Sequence, residues 1–131
     1  MSAICDAAEK LMLDWLFTTA SPTRPTAWFA GLHTAAPGDT ATNEIATGSG
    51  YARQTVTFAT ASSPAGTTDN ANALTFGPFS SAATISGISV WDGSTIGANT
   101  PLWAGTLATA RTLIAGDSLI VSAGNLDITL A

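Results

Sequence analysis

Residues 31–58 read GLHTAAPGDTATNEIATGSGYARQTVTF, and the order of residue types in this stretch decides the fold class. A short apolar segment ends in His33 and Thr34 and meets the turn Pro37-Gly38-Asp39. A polar run of Thr, Gly and Ser follows. Tyr51-Ala52-Arg53-Gln54 then opens a second segment, in which Ala52, Gln54, Val56 and Phe58 alternate with Arg53, Thr55 and Thr57. Alternation at period two marks a strand with one wet and one dry face. Two strands joined by a long polar loop set the expectation of antiparallel β structure.

The same reading extends outward. Residues 26–34 form the first strand, carrying Trp28, Phe29 and Leu32. Further strands are expected at 73–76, 84–91, 102–108, 111–113, 118–122 and 126–130, each bounded by Gly, Pro, Asn, Asp or Ser. Pro64-Ala65-Gly66, Gly77-Pro78, Asp92-Gly93-Ser94, Gly116-Asp117 and Gly124-Asn125 mark turns. Trp28, Trp91 and Trp103 fall in strands and read as core packing. The loop at 35–50 is long enough to be functional or ordered by a partner.

Only the N-terminus has helical periodicity. Ser2 is the expected N-cap and Asp6 sits in the first turn, where the helix dipole favours negative charge. Ile4, Ala8, Leu11, Met12, Trp15 and Leu16 recur at three- and four-residue intervals as one apolar stripe. Ser21-Pro22-Thr23-Arg24-Pro25 ends it. A short amphipathic helix needs a surface to cover, either the sheet of its own domain or a neighbouring subunit. The expected architecture is one domain, 1–131: a helix at about 3–18, then an antiparallel β-sandwich or jelly roll over about 26–131.

Composition narrows the function classes. The chain has 131 residues, 46% hydrophobic and only 10% charged, against roughly 25% charged in ordinary globular chains. Ala, Thr, Ser and Gly take the place of surface charge, which suits a surface that meets other protein. The net charge is −5 and the basic residues are four, Lys10, Arg24, Arg53 and Arg111, scattered along the chain. Phosphate binding needs several on one face, so no nucleic-acid partner is expected. The single cysteine, Cys5, cannot form an internal disulfide and reads as a small buried hydrophobe. No basic start or sustained apolar run opens the chain, and no stretch approaches the ~18–20 apolar residues of a membrane span. The expectation is a soluble chain made in a cytoplasm, with no membrane partner.

A search for chemistry returns little. His33 is the only histidine, which excludes an ordinary zinc site within one chain. No Gly-x-Ser-x-Gly elbow accompanies it. The acids at turns read as caps for nearby backbone amides, and residues 39–44 do not have calcium-loop spacing. Gly48-Ser49-Gly50 lacks the lysine and helix of a phosphate loop. The reading therefore names no catalytic residue, no metal and no cofactor. Arg53 stands out as a planar five-donor fork in a charge-poor chain, and it calls for a partner. Asp39, Glu44 or Asp92 within the chain, or a group across an interface, would serve. Leu11, Trp15, Arg53, Tyr51, Asp39 and Glu44 are the candidate interface residues.

Gly31-Leu32-His33-Thr34, Pro37-Gly38-Asp39, Asn43-Glu44, Gly50-Tyr51-Ala52-Arg53-Gln54 and Ile88-Ser89-Val90-Trp91-Asp92 together resemble a block found in small phage virion proteins. That family includes tail-fibre-like and capsid cement proteins. In it the turn often begins Asp-Pro-Gly-Asp; here Ala36 replaces the first acid, which weakens a metal in that turn. The resemblance implies a virion structural protein with no active site. Its stand-alone size points to a cement or decoration protein on the outer capsid, made in the host cytoplasm and contacting the major capsid protein or copies of itself as dimer or trimer. The alternatives are a tail, baseplate or tail-fibre component, and a carbohydrate- or receptor-binding module.

Overall fold

The structure is a computed structural model, and it describes residues 2–130. In chain order the elements are β1 (Ser2–Ile4), α1 (Asp6–Phe17), β2 (Phe29–His33), β3 (Gln54–Thr55), β4 (Thr67–Asp69), β5 (Leu74–Phe76), β6 (Ala83–Trp91), β7 (Pro101–Leu113), β8 (Leu119–Val121) and β9 (Asp127–Thr129). The fold is mainly β with antiparallel sheets and one N-terminal helix, as the strand pattern implied. A five-stranded sheet runs β1-β7-β6-β2-β3, and two ribbons, β4-β9 and β5-β8, accompany it.

The two faces of the sheet are both covered, for different reasons. On one face Ala30 and Leu32 of β2, Ile88 and Val90 of β6 and Trp103 of β7 join Leu74 and Phe76 of β5 and Leu126 in a single apolar core. Gly31 and His33 of β2 and Ser89 and Trp91 of β6 point the other way, because strand side chains alternate. They too are buried. Their cover is the chain between β2 and β3, whose Pro37 and Ala41 are also buried. Gly50 lets that segment turn back: its φ is +75° and a Cβ there would sit 2.3 Å from the Pro78 carbonyl oxygen.

Several sequence expectations are corrected. The helix begins at Asp6, and Ser2 belongs to β1, paired with Gly105. Ile4 is likewise a strand residue, opposite Trp103. Cys5 is the N-cap residue and gives no side-chain cap bond; its carbonyl accepts from Ala8 and Glu9, and its N–H donates to Leu102 O. A three-residue strand is too short to show a period of its own, so Ile4 falls in line with the helical stripe. Within 51–58 only Gln54–Thr55 forms a strand, with Phe58 making a single bridge to Asn70, and the faces are reversed at its start: Tyr51 and Arg53 are buried while Ala52 is exposed. The strands expected at 102–108 and 111–113 are one, β7, with a register shift opposite Ser86. β4 is Thr-Thr-Asp, so it carries no apolar signal.

The ribbons are tied together by Asn70, which is fully buried. Its Nδ2 donates to Asn72 O (2.8 Å) and Ser122 O (3.0 Å), and its Oδ1 accepts from the N–H groups of Asn125 (3.0 Å) and Leu126 (2.8 Å). Both donors and both lone-pair directions of the amide are used. Asn70→Ala removes four hydrogen bonds at once: Asn72 O and Leu126 N–H lose their amide partner, and Asn125 N–H and Ser122 O keep only their 3.2 Å bond to each other. It should lower the free energy of unfolding by at least about 3 kcal/mol in urea titration; a loss under about 1 kcal/mol would show that water replaces the amide.

Candidate functional site

The polar residues of the 31–58 stretch meet on the second face of the sheet. β3 pairs with only Phe29 and Ala30 of β2, so the outer edge of β2 beyond Ala30 lacks a neighbouring strand. The loop supplies the missing bonds. Ile45 N–H donates to Leu32 O (3.0 Å), Thr34 N–H to Asn43 O (3.0 Å), and Leu32 N–H to the Tyr51 hydroxyl (2.9 Å). A buried sheet edge without such partners would leave several unpaired backbone groups.

Glu44 and Arg53 hold this loop in place. Arg53 donates from Nε to Glu44 Oε1 and from Nη2 to Oε2, both at 2.7 Å. The Arg53 side chain is fully buried and that of Glu44 is 9% exposed. Tyr51 donates its hydroxyl proton to Glu44 Oε1 (2.8 Å). The remaining Arg53 nitrogen, Nη1, donates to Gly93 O (2.8 Å), with longer contacts to Ala98 O and Asn99 Oδ1. The guanidinium also lies 3.8 Å from the centroid of the Trp91 ring, within cation–π range. One side chain thus joins the covering loop, the turn between β6 and β7, and the face of the sheet.

Gly31 makes the arrangement possible. A Cβ on it would lie 2.8 Å from Glu44 Oε1 and 3.1 Å from both Ser89 Oγ and Trp91 Nε1. The carboxylate is pinned by two guanidinium bonds, so it cannot swing aside at low cost.

Beside the ion pair runs a chain of oriented hydrogen bonds. Trp91 Nε1 donates to Ser89 Oγ at 2.6 Å; Ser89 Oγ lies 2.7 Å from His33 Nε2; His33 Nδ1 lies 2.7 Å from Thr42 O. A carbonyl only accepts, so His33 carries its proton on Nδ1. Its Nε2 then accepts the Ser89 hydroxyl proton, and Ser89 accepts from the indole. Burial holds the imidazole below its ordinary pKa of 6.5, outweighing the Thr42 carbonyl and Glu44, which act in the opposite direction. Burial likewise raises the Tyr51 hydroxyl above its usual range and pushes the Cys5 thiol up to about 11. A serine–histidine pair is therefore present, but both residues have no solvent exposure and Ser89 is engaged on both sides.

The candidate residues separate into three places: the buried cluster, the turn at Asp39 and helix α1. Glu44, Tyr51 and Arg53 meet in the buried cluster, and of the three acids weighed as partners for Arg53 it is Glu44 that binds it. Asp92 instead accepts from Thr100 N–H (2.7 Å). Asp39 is exposed at its turn, away from them. Leu11 and Trp15 lie on α1, Leu11 half-buried and Trp15 69% exposed. Sequence reading missed the Trp91–Ser89–His33 chain and Asn70. For the former a signal existed: Ser89 and Trp91 are two apart on one strand, as are Gly31 and His33, so each pair shares a face. Trp91 and Trp103 are buried, while Trp28 is half-buried with Arg24 at 5.9 Å over its ring. No helix among the described residues is long and apolar enough to cross a membrane.

A family model described as Podophage GP4 fiber I protein gp80 matches residues 3–129, and the chain belongs to that family. It is a phage virion structural protein. No curated protein matches the chain.

Two outcomes are expected. Arg53→Ala and Glu44→Ala should each cost about 3–5 kcal/mol in urea unfolding, since each leaves a buried charge unpaired. The double variant should cost little more than the worse single one; additive losses would mean that the pair is not coupled. Separately, the unfolded chain takes up a proton near pH 6.5 while native His33 stays neutral. Stability is then full above that pH and declines as the pH falls through it. The decline between about pH 7.5 and 5.5 should be visible in wild-type thermal melts and reduced in His33→Asn, and equal pH slopes would remove His33 as the cause.

Proposed function

We propose that this chain is a fibre component of a podophage-type virion, a rigid module that packs against other virion subunits and carries out no reaction. The observation that carries this reading is the fibre-family match over residues 3–129. The physical character of the molecule supports it. The Glu44–Arg53 pair and the His33–Ser89–Trp91 chain are directed inward, while exposed apolar side chains concentrate on α1, at Leu13, Trp15, Leu16 and Phe17. Such a surface suits a protein contact, whose centre is depleted in charge.

Attachment to the outer capsid as a cement protein is the second reading. It draws on the net charge of −5 and the low charge content, which suit a site away from the genome, whereas the family description favours the fibre. Both readings name protein partners, either another virion subunit or a second copy of this chain, and neither involves nucleic acid or membrane.

Cryo-electron microscopy of the particle, with mass-spectrometric copy counting, tests the assignment. A small number of copies in an appendage is expected. Copies matching the shell lattice would replace the fibre reading with the cement reading, and absence from the purified particle would overturn both.

A further inference from the structure

Residues 35–43 form a flap over the second face of the sheet that is bonded more to itself than to the body. Ala41 N–H donates to Gly38 O (3.2 Å), Thr42 donates its N–H (2.8 Å) and its hydroxyl (3.1 Å) to Pro37 O, and Asn43 Nδ2 donates to Ala36 O (3.3 Å). Few contacts tie the flap down. Asn43 O accepts from the N–H and, at 3.4 Å, the hydroxyl of Thr34, and Thr42 O accepts from His33 Nδ1. Pro37 and Ala41 supply the buried apolar contacts. Pro37 Cδ lies where a Cβ on Gly87 would come within 2.7 Å of it, and Ala41 joins Cys5, Trp91 and Ala104 in a small buried cluster. Past the flap, Glu44 is fixed by Arg53 and by its bridge to His33. A segment that keeps its own turn bonds and has few anchors opens locally, ahead of the whole domain.

One of those anchors can take up a proton. With the flap down, His33 Nδ1–H is committed to Thr42 O, and Nε2 accepts the hydroxyl proton of Ser89, whose oxygen also accepts from Trp91. A second ring proton, on Nε2, would have to be accepted by Ser89 Oγ. The serine proton would then have no acceptor, because His33 and Trp91 are the only side-chain partners of Ser89 among the described residues. Two charged groups face the ring, both from the loop side: Glu44, which favours the imidazolium, and Arg53, which opposes it. Strand β6 presents only Ser89 and Trp91, and burial keeps the nearby Tyr51 hydroxyl and Cys5 thiol neutral. Lifting the flap gives Nδ1 to water and removes the burial. We propose that residues 35–43 are an acid-released flap, which lifts as a unit when His33 is protonated while the sheet and the Glu44–Arg53 pair stay in place. Release uncovers the sheet about Gly87 and Ala104, together with the Cys5 thiol.

The open flap leaves His33 with its ordinary pKa of 6.5, and the closed flap holds it lower. Closure is therefore fully favoured above that pH and loses its advantage as the pH falls through it. The open-to-closed ratio should rise about tenfold between pH 7.5 and 5.5, a window above the ordinary carboxylate range. Cys5 is the only cysteine and has no exposure with the flap down, so it reports the opening. Its rate of labelling by a dipyridyl disulfide, divided by that of the urea-unfolded chain at the same pH, gives the open fraction and cancels the titration of the thiol itself. That fraction should exceed the globally unfolded fraction from urea titration by at least about tenfold. It should rise about tenfold from pH 7.5 to 5.5 in the wild type and stay level in His33→Asn. Labelling equal to the unfolded fraction at both pH values, so that only global unfolding reaches Cys5, overturns the inference. So does a local open fraction that ignores pH, which would assign the exposure to α1. Should His33→Asn fail to fold by circular dichroism, the wild-type series decides by itself, since His33 is the only histidine.

Discussion

The bidentate bond between Glu44 and Arg53 is the constraint on which the second face of the sheet depends. Removing both charges from water is costly, and their mutual attraction offsets this only if the remaining donors and acceptors find partners. Here they do. Glu44 also accepts from Tyr51, and Arg53 also donates to Gly93 O and stacks on Trp91. Among the buried side-chain polar atoms described, none lacks a partner. Because the two residues are nine apart in sequence and the guanidinium reaches forward to the turn after β6, the pair fixes the loop and the turn together.

This accounts for how a long polar loop comes to be rigid. A loop laid on a sheet would ordinarily bury backbone groups without partners. In this protein the loop replaces the edge strand that β3 is too short to complete, with Ile45 and Tyr51 bonding to Leu32 of β2 and Asn43 to Thr34 just past its end. The His33–Ser89–Trp91 chain then fills the space beneath it with groups that each have a defined proton position.

The location of charge and apolar surface follows a consistent division. Of the four basic residues, Arg53 is buried against Glu44 and Lys10 closes on Asp14. What α1 leaves exposed is largely aromatic and aliphatic. With only 10% charged residues, the chain spends much of its charge on contacts within itself.

Much of this was legible in the residues alone. Alternation, turn residues and the absence of a second helical period determined an antiparallel β protein with one N-terminal helix, because each depends only on neighbours in sequence. Arg53 could be seen to need a partner, since its charge cannot be buried alone. The length of the helix, the strand identity of Ser2 to Ile4 and the inward turn of Arg53 were not legible. Each is decided by a group distant in the chain: Gly105 and Trp103 for β1, and Glu44 with Trp91 for Arg53. Sequence alone determined the class of structure and the low charge content of the chain. Only the tertiary structure decided which of Asp39, Glu44 and Asp92 binds Arg53, and that the stripe of α1 runs past its cover at Trp15, because both depend on how far the folded body extends beneath those side chains.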